Sequence, residues 1–262
     1  MPPNLVYTIA VDPPGRHDYL TLAKMLVGSL LRCDFHCDIV VFTNGERPLY
    51  HIPRQRVYEI PINIENTPGV HFDNSTALKY LARHYFPAHR YDNILYIDAD
   101  CLVLRALTPL FANSGLLGYV PEGWDISHEA FNAYLTAAEM QLKLPGINSG
   151  IFTVKGFAFD AIMARFECIN NQLPLRAKGW SDQPAWNKVV LEYGHAAKAF
   201  DKATVAFPAC WDPAVQQWSK AVVLHVCGEA MPPSNKAAVM FGMYAQRFYG
   251  DAAPVLMDLL EP

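Results

Sequence analysis

Two carboxylates stand one residue apart in Ile94-Leu95-Tyr96-Ile97-Asp98-Ala99-Asp100-Cys101-Leu102-Val103-Leu104, between two apolar runs. Asp is disfavoured inside strands and is almost never buried without a partner, so this placement calls for a nearby positive charge. A divalent cation answers that need, because hard oxygen ligands neutralise it and substrate phosphates fill its remaining positions. Capping of the next turn, or pairing with Arg105, is the simpler alternative.

The same spacing opens phosphatases of the haloacid-dehalogenase type, in which the first Asp is the nucleophile. Their motif normally sits on the first strand of the chain, whereas several α/β units precede Asp98. Upstream, Lys79 and Arg83 stand four residues apart on one predicted helix face with no carboxylate a turn away. Their expected partner is an outside anion such as Asp98, Asp100 or a substrate phosphate; two solvated surface cations are the alternative. Asn148-Ser149-Gly150 reads locally as a turn into a strand. Asp182, with Ser181 before it and Pro184 after it, reads as a helix N-cap. A strand-end histidine such as His225 is ordinarily a hydrogen-bonded structural residue, and only Asp98 and Asp100 give it functional weight.

The elements that must position these groups follow from periodicity. Residues 5–11 form a β-rich apolar run, and residues 18–31 place Tyr19, Leu22, Ala23, Leu26, Val27 and Leu30 at helical spacing. Residues 38–43 and 56–60 are further strands, the second cut off by Pro61. A helix is expected over 75–86, capped by Asn74 or Ser75. Residues 94–97 are apolar on both faces, which predicts a central strand ending at the carboxylates. Strands are expected at 116–120 and 150–154. Phe159, Ile162, Met163, Phe166 and Ile169 form a helical stripe, and the alternation continues to 222–225. This is the rhythm of a parallel α/β sheet. Residues 122–147 look irregular and read as an active-site excursion.

The 262 residues are 52% hydrophobic and 18% charged with net charge −4, enough chain for a sizeable core and too little basic charge for a polyanion partner. Nucleic acid is therefore not an expected partner. No stretch approaches the roughly 20 apolar residues of a membrane span, and no signal-like segment opens the chain, so the expected location is cytoplasmic. The six cysteines are scattered, and Cys33 and Cys37 lack a second ligand pair for zinc. One domain over residues 1–262 is expected, with 235–262 as a helical tail whose apolar spacing favours the core over a dimer or acceptor surface. No G-x-G-x-x-G or G-K-[ST] follows the first strand, which argues against dinucleotide and P-loop enzymes.

Together these residues resemble the retaining nucleotide-sugar transferases of glycosyltransferase family 8, over roughly residues 6–232. The resemblance implies a GT-A fold, α/β with a single mixed, mostly parallel sheet flanked by helices. It implies Mn2+ or Mg2+ as cofactor, held by Asp98 and Asp100 on the diphosphate of a UDP-sugar. His225 matches the family's third metal ligand, because His225-Val226-Cys227-Gly228-Glu229-Ala230-Met231-Pro232-Pro233 looks like His-x-x-Gly-x-x-Lys-Pro-Trp. The family's lysine and tryptophan fall on Met231 and Pro233, so a diphosphate contact is missing unless Lys236 supplies it. Ile9, Ala10, Asp12 and Tyr19 match the uridine pocket, and Lys79, Ala99, Ser149 and Gly228 match donor-binding positions. Asn148, Asp182 and Gln183 match the residues around the transferred sugar. The implied reaction moves a hexose to a carbohydrate or other hydroxyl acceptor with retention. A catalytically weak or inactive nucleotide-sugar-binding homologue and the phosphatase remain as alternatives.

Overall fold

A computed structural model of the protein describes residues 4–13, 18–33, 37–44, 56–66, 72–172, 182–207, 221–227 and 233–249. In chain order the strands are β1 Asn4–Ala10, β2 Asp38–Thr43, β3 Val57–Pro61, β4 Asn93–Ile97, β5 Cys101–Val103, β6 Leu117–Asp125, β7 Pro145–Lys155, β8 Ala197–Ala199, β9 Val205–Ala206 and β10 Val223–His225. The α-helices are α1 Asp18–Arg32, α2 Leu78–Leu81, α3 Thr108–Phe111, α4 Ala137–Met140, α5 Phe159–Asn170, α6 Gln183–Tyr193 and α7 Pro233–Tyr249.

Seven strands form the main sheet in the order β3-β2-β1-β4-β7-β6-β8. Its β3·β2, β2·β1, β1·β4 and β6·β8 pairs are parallel, whereas β7 runs antiparallel to β4 and β6. The expected strand at 222–225 forms, but it joins a second sheet, β5-β10-β9, beside the main one. That small sheet positions the site: β10 pairs antiparallel with the strand that directly follows the two carboxylates.

Strand alternation divides the core in two. Leu5, Tyr7, Ile94 and Tyr96 pack on the side of α2, α5 and α6, while Val6, Leu95 and Ile97 pack with α1, β5 and β10. β4 lies fourth of seven strands and is covered on both faces, which explains its unbroken apolar run. The stripe of α5 is buried as its spacing predicts, with Phe166 against Trp186 of α6 at 5.3 Å between ring centroids. α7 packs on α1 and buries Met240 completely. No helix among the described residues is long and apolar enough to cross a membrane.

Two expectations change. The helix over 75–86 is broken into a 3-10 turn (Phe72–Ala77), the single turn α2 and a second 3-10 turn (Ala82–His84). Asp73-Asn74-Ser75-Thr76 is a run of residue types that favour turns and caps over helix interiors, and Ala77, at the N-cap of α2, supplies no side-chain cap. The stretch 122–147 is also more ordered than it reads: β6 continues to Asp125, β7 begins at Pro145, and α4 carries a capping box of Thr136 and Glu139.

Candidate active site

The carboxyl end of β4 delivers Asp98, and the turn after it delivers Asp100. Alternation along β4 puts Tyr96 and Asp98 on one face, where the Tyr96 hydroxyl donates a hydrogen bond to Asp98 Oδ1. On that face lies Lys79 of α2, whose Nζ is 3.7 Å from Asp98 Oδ1 and 2.9 Å from Asp182 Oδ2. Lys79 also donates to the Ser149 carbonyl at 3.1 Å. Burial opposes its ammonium, but Asp182 and Asp98 outweigh burial and hold its pKa above the ordinary lysine value. Arg83 leaves the site: it pairs with Glu167 of α5 at 2.5 Å, because the break in the helix turns the two cations apart.

Asp182 takes the N-cap position of α6, yet its side chain makes no capping hydrogen bond. It is spent on Lys79, and burial, opposed by that lysine, raises its pKa. Gln183, one residue on, accepts a hydrogen bond from Ser149 N at 3.3 Å. Asn187 follows one helical turn later and brackets Ile147, accepting from its N–H at 2.9 Å and donating to its carbonyl at 2.7 Å. This clamp sets the height of Asn148 and Ser149 on β7. The sequence reading missed Asn187, although an Asn four residues after Gln183 on an otherwise apolar helix face was a usable signal.

Asp100 and His225 meet from the other direction. Val226 N donates to the Asp100 carbonyl at 2.9 Å, and His225 Nε2 lies 3.2 Å from Asp100 Oδ1 and 3.6 Å from Asp98 Oδ2. Burial disfavours the imidazolium, but Cys227, Asp100 and Asp98 outweigh it and push the His225 pKa well up. Both carboxyls sit below the usual range: burial works against this, while Lys79 and His225 lower Asp98 and His225 lowers Asp100. A divalent ion held by His225 Nε2 would have to replace a proton there, so affinity for such an ion is expected to weaken as pH falls, a trend calorimetry with Mn2+ at several pH values will read.

Gly150 makes this convergence possible. A Cβ there would overlap Asp98 Oδ2 and His225 Cε1 and press on Asn148 Oδ1 at 2.9 Å. Gly150→Ala is expected to push apart the carboxylate and imidazole, which would weaken a divalent ion held between them by more than about tenfold, at a stability cost of about 1–3 kcal/mol. Paired measurement of ion affinity and urea midpoint separates the two effects.

Lys236 of α7 also reaches the centre, with Nζ 2.7 Å from Asp100 Oδ2. Tyr19 faces the same charges, since Lys236, Asp100 and Asp98 all act on its hydroxyl, whose pKa is raised first by burial. Asp12 accepts from Tyr19 N at 2.8 Å and Leu20 N at 3.0 Å, so both its oxygens anchor the start of α1. Ile9, Ala10 and Ala99 have buried side chains, which leaves only their backbone to meet a ligand. Gly228 and Met231 lie outside the described residues. Glu122, a further residue the sequence reading passed over, accepts from Asn148 Nδ2 at 2.6 Å, and burial raises its pKa. Only its place two residues past the expected end of a strand hinted at it.

No protein-family model and no curated sequence matches the chain. Solved structures do. The galactosyltransferase LgtC in complex with donor and acceptor sugar analogues superposes with a TM-score of 0.59 at 15% identity, over 90% of this chain and 95% of that one. An active-site glutamine-to-glutamate variant of LgtC gives 0.59 and 15%, over 91% and 95%. The glycosyltransferase GlyE of Streptococcus pneumoniae TIGR4 gives 0.56 and 12%, over 86% of this chain and 55% of its own. At these identities the likeness is one of architecture, and it agrees with the resemblance read from the residues: the chain has the GT-A fold of the glycosyltransferases.

Proposed function

We propose that the chain is a metal-dependent, retaining glycosyltransferase that moves a hexose from a UDP-sugar to a hydroxyl acceptor, working as one domain over residues 1–262. The observation that carries this reading is the convergence of Asp98, Asp100 and His225 at the end of the central strand of a GT-A fold. Two carboxylates and an imidazole fit a divalent ion, and Gly150 leaves the room between them. Asp98, Asp100 and His225 would hold Mn2+ or Mg2+, which supplies Lewis-acid stabilisation of a leaving diphosphate.

The remaining roles belong to the chain. Lys79 holds Asp98 and Asp182 in place as a buried, fixed cation that needs no reorganisation during the reaction. Lys236 stands where it can neutralise the diphosphate, taking the part that the residue at Met231 cannot. Asn148 and Asp182 orient sugar hydroxyls. Tyr19, with the backbone around Ile9, Ala10 and Asp12, receives the uridine at the carboxyl end of β1. Gln183 lies by the anomeric carbon; an amide is a weak nucleophile, so its part is to stabilise an oxocarbenium-like state. Gln183→Ala is expected to lower turnover with little change in donor affinity, and unchanged turnover would remove that role.

An aspartyl phosphatase needs an uncommitted oxygen on its nucleophile. Here Asp98 Oδ1 accepts from Tyr96 and Oδ2 faces His225 at 3.6 Å, which disfavours that reading. Titration with UDP, with and without Mn2+, followed by hydrolysis assays on a panel of UDP-sugars, tests the proposal. Binding that requires Mn2+ supports it; UDP binding without transfer or hydrolysis indicates an inactive homologue, and no UDP binding under either condition overturns it.

A further inference from the structure

Cys101 lies at this centre with no part in sugar transfer. Its Sγ, a carboxylate oxygen of Asp100 and an imidazole nitrogen of His225 lie within 4.8 Å of one another, all in buried residues. The backbone causes this. Cys101 is directly opposite His225 in the antiparallel pair of β5 and β10, which sets the two side chains next to each other. The 3.2 Å from His225 Nε2 to Asp100 Oδ1 is close to the edge of a tetrahedron whose metal bonds are about 2.0 Å. Among the described residues His225 Nδ1 is buried with no hydrogen-bond partner.

A hard ion is satisfied by Asp98, Asp100 and His225 and gains nothing from sulfur. Thiol, imidazole and carboxylate together are the donor set of a borderline or soft ion. We propose that Asp100, Cys101 and His225 form a second binding mode of this centre, for thiophilic divalent cations of the Zn2+ and Cd2+ type, which excludes the hard ion. The two modes share Asp100 and His225 and differ in using Cys101 or Asp98, so they are mutually exclusive. In the soft mode the Cys101 S–H bond breaks, an S–metal bond forms, and the proton leaves to solvent, with no change of oxidation state. The site stands on this geometry, and only its consequence, arrest of turnover by such ions, rests on the transferase reading.

Cd2+ alone is the probe, because its thiolate complexes absorb by charge transfer in the ultraviolet. Titration of the full chain is expected to give a band that saturates near one equivalent, survives in Cys168→Ala, and is lost in Cys101→Ser. Cys101→Ser is nearly isosteric, and Cys101→Ala repeats the test should the serine variant fail to fold. Cd2+ affinity is expected to fall at least about tenfold in either variant, as loss of a direct ligand costs no less than loss of an outer partner. Mn2+ affinity is expected to stay unchanged. A band of full intensity in Cys101→Ser, or no band in the wild type, overturns the proposal. UDP binding read on the same preparation separates the two readings: a Cys101-dependent band without UDP binding upholds this site and sinks the transferase, and the converse result does the reverse.

Discussion

Asp100→Ala is expected to abolish Mn2+-dependent UDP binding, lowering ion affinity by more than about a hundredfold, since loss of a direct ligand exceeds the 10–100-fold typical of outer partners. Asp100 is where the two halves of the centre meet. Its Oδ1 faces His225 at 3.2 Å, its Oδ2 takes Lys236 at 2.7 Å, and its carbonyl receives Val226 N. Removal therefore leaves an imidazole and an ammonium with no oxygen between them, and the ion would have to bind against two positive charges. The β5·β10 pairing is made by backbone and should survive, so a circular dichroism melt close to wild type is expected alongside the lost binding. Calorimetry with Mn2+ alone, then with UDP, reads the effect. An affinity within a few-fold of wild type would mean that Asp100 is not a ligand.

The largest expected stability effect is at Lys79. Its side chain is 2% exposed and Asp182 is 4% exposed, so the pair is cut off from water. Breaking a buried pair by removing one partner typically costs about 3–5 kcal/mol, because the surviving charge stays desolvated. Lys79→Met is expected to fall in that range and to raise the Asp182 pKa further. Adding Asp182→Asn should recover part of the loss, since the stranded carboxylate is then gone. Urea unfolding of the two single variants and the double variant measures the coupling. A loss under about 1 kcal/mol in Lys79→Met would show that the pair is not held dry.

Most of the fold was legible because its strands are doubly covered and its long helices are amphipathic, and both leave a period in the chain. β1, β2, β4, α1 and α5 stand where their apolar spacing puts them. Short elements carry too few periods to be read, which is why 75–86 passed for one helix and why β6 was cut short of Asp125. Asp98 and Asp100 were legible for a different reason: two charges between apolar runs contradict burial unless something pairs with them. Asp182 was ambiguous for the opposite reason, as an Asp before a Pro-containing first turn satisfies local capping rules whether or not it is used elsewhere.

Legible in the chain were a parallel-rich α/β sheet, a central strand ending in two carboxylates, and a histidine about 125 residues later that gained meaning only from them. Which cation each carboxylate meets follows from the packing of remote elements. Lys79 turns inward to Asp182 and Asp98, Arg83 turns away to Glu167, Lys236 arrives on a distant helix, and Gly150 clears the space for His225. Local periodicity records which face of an element is buried. It carries no record of which remote residue lies opposite, because that depends on strand order and register, and these are settled only when the whole sheet assembles.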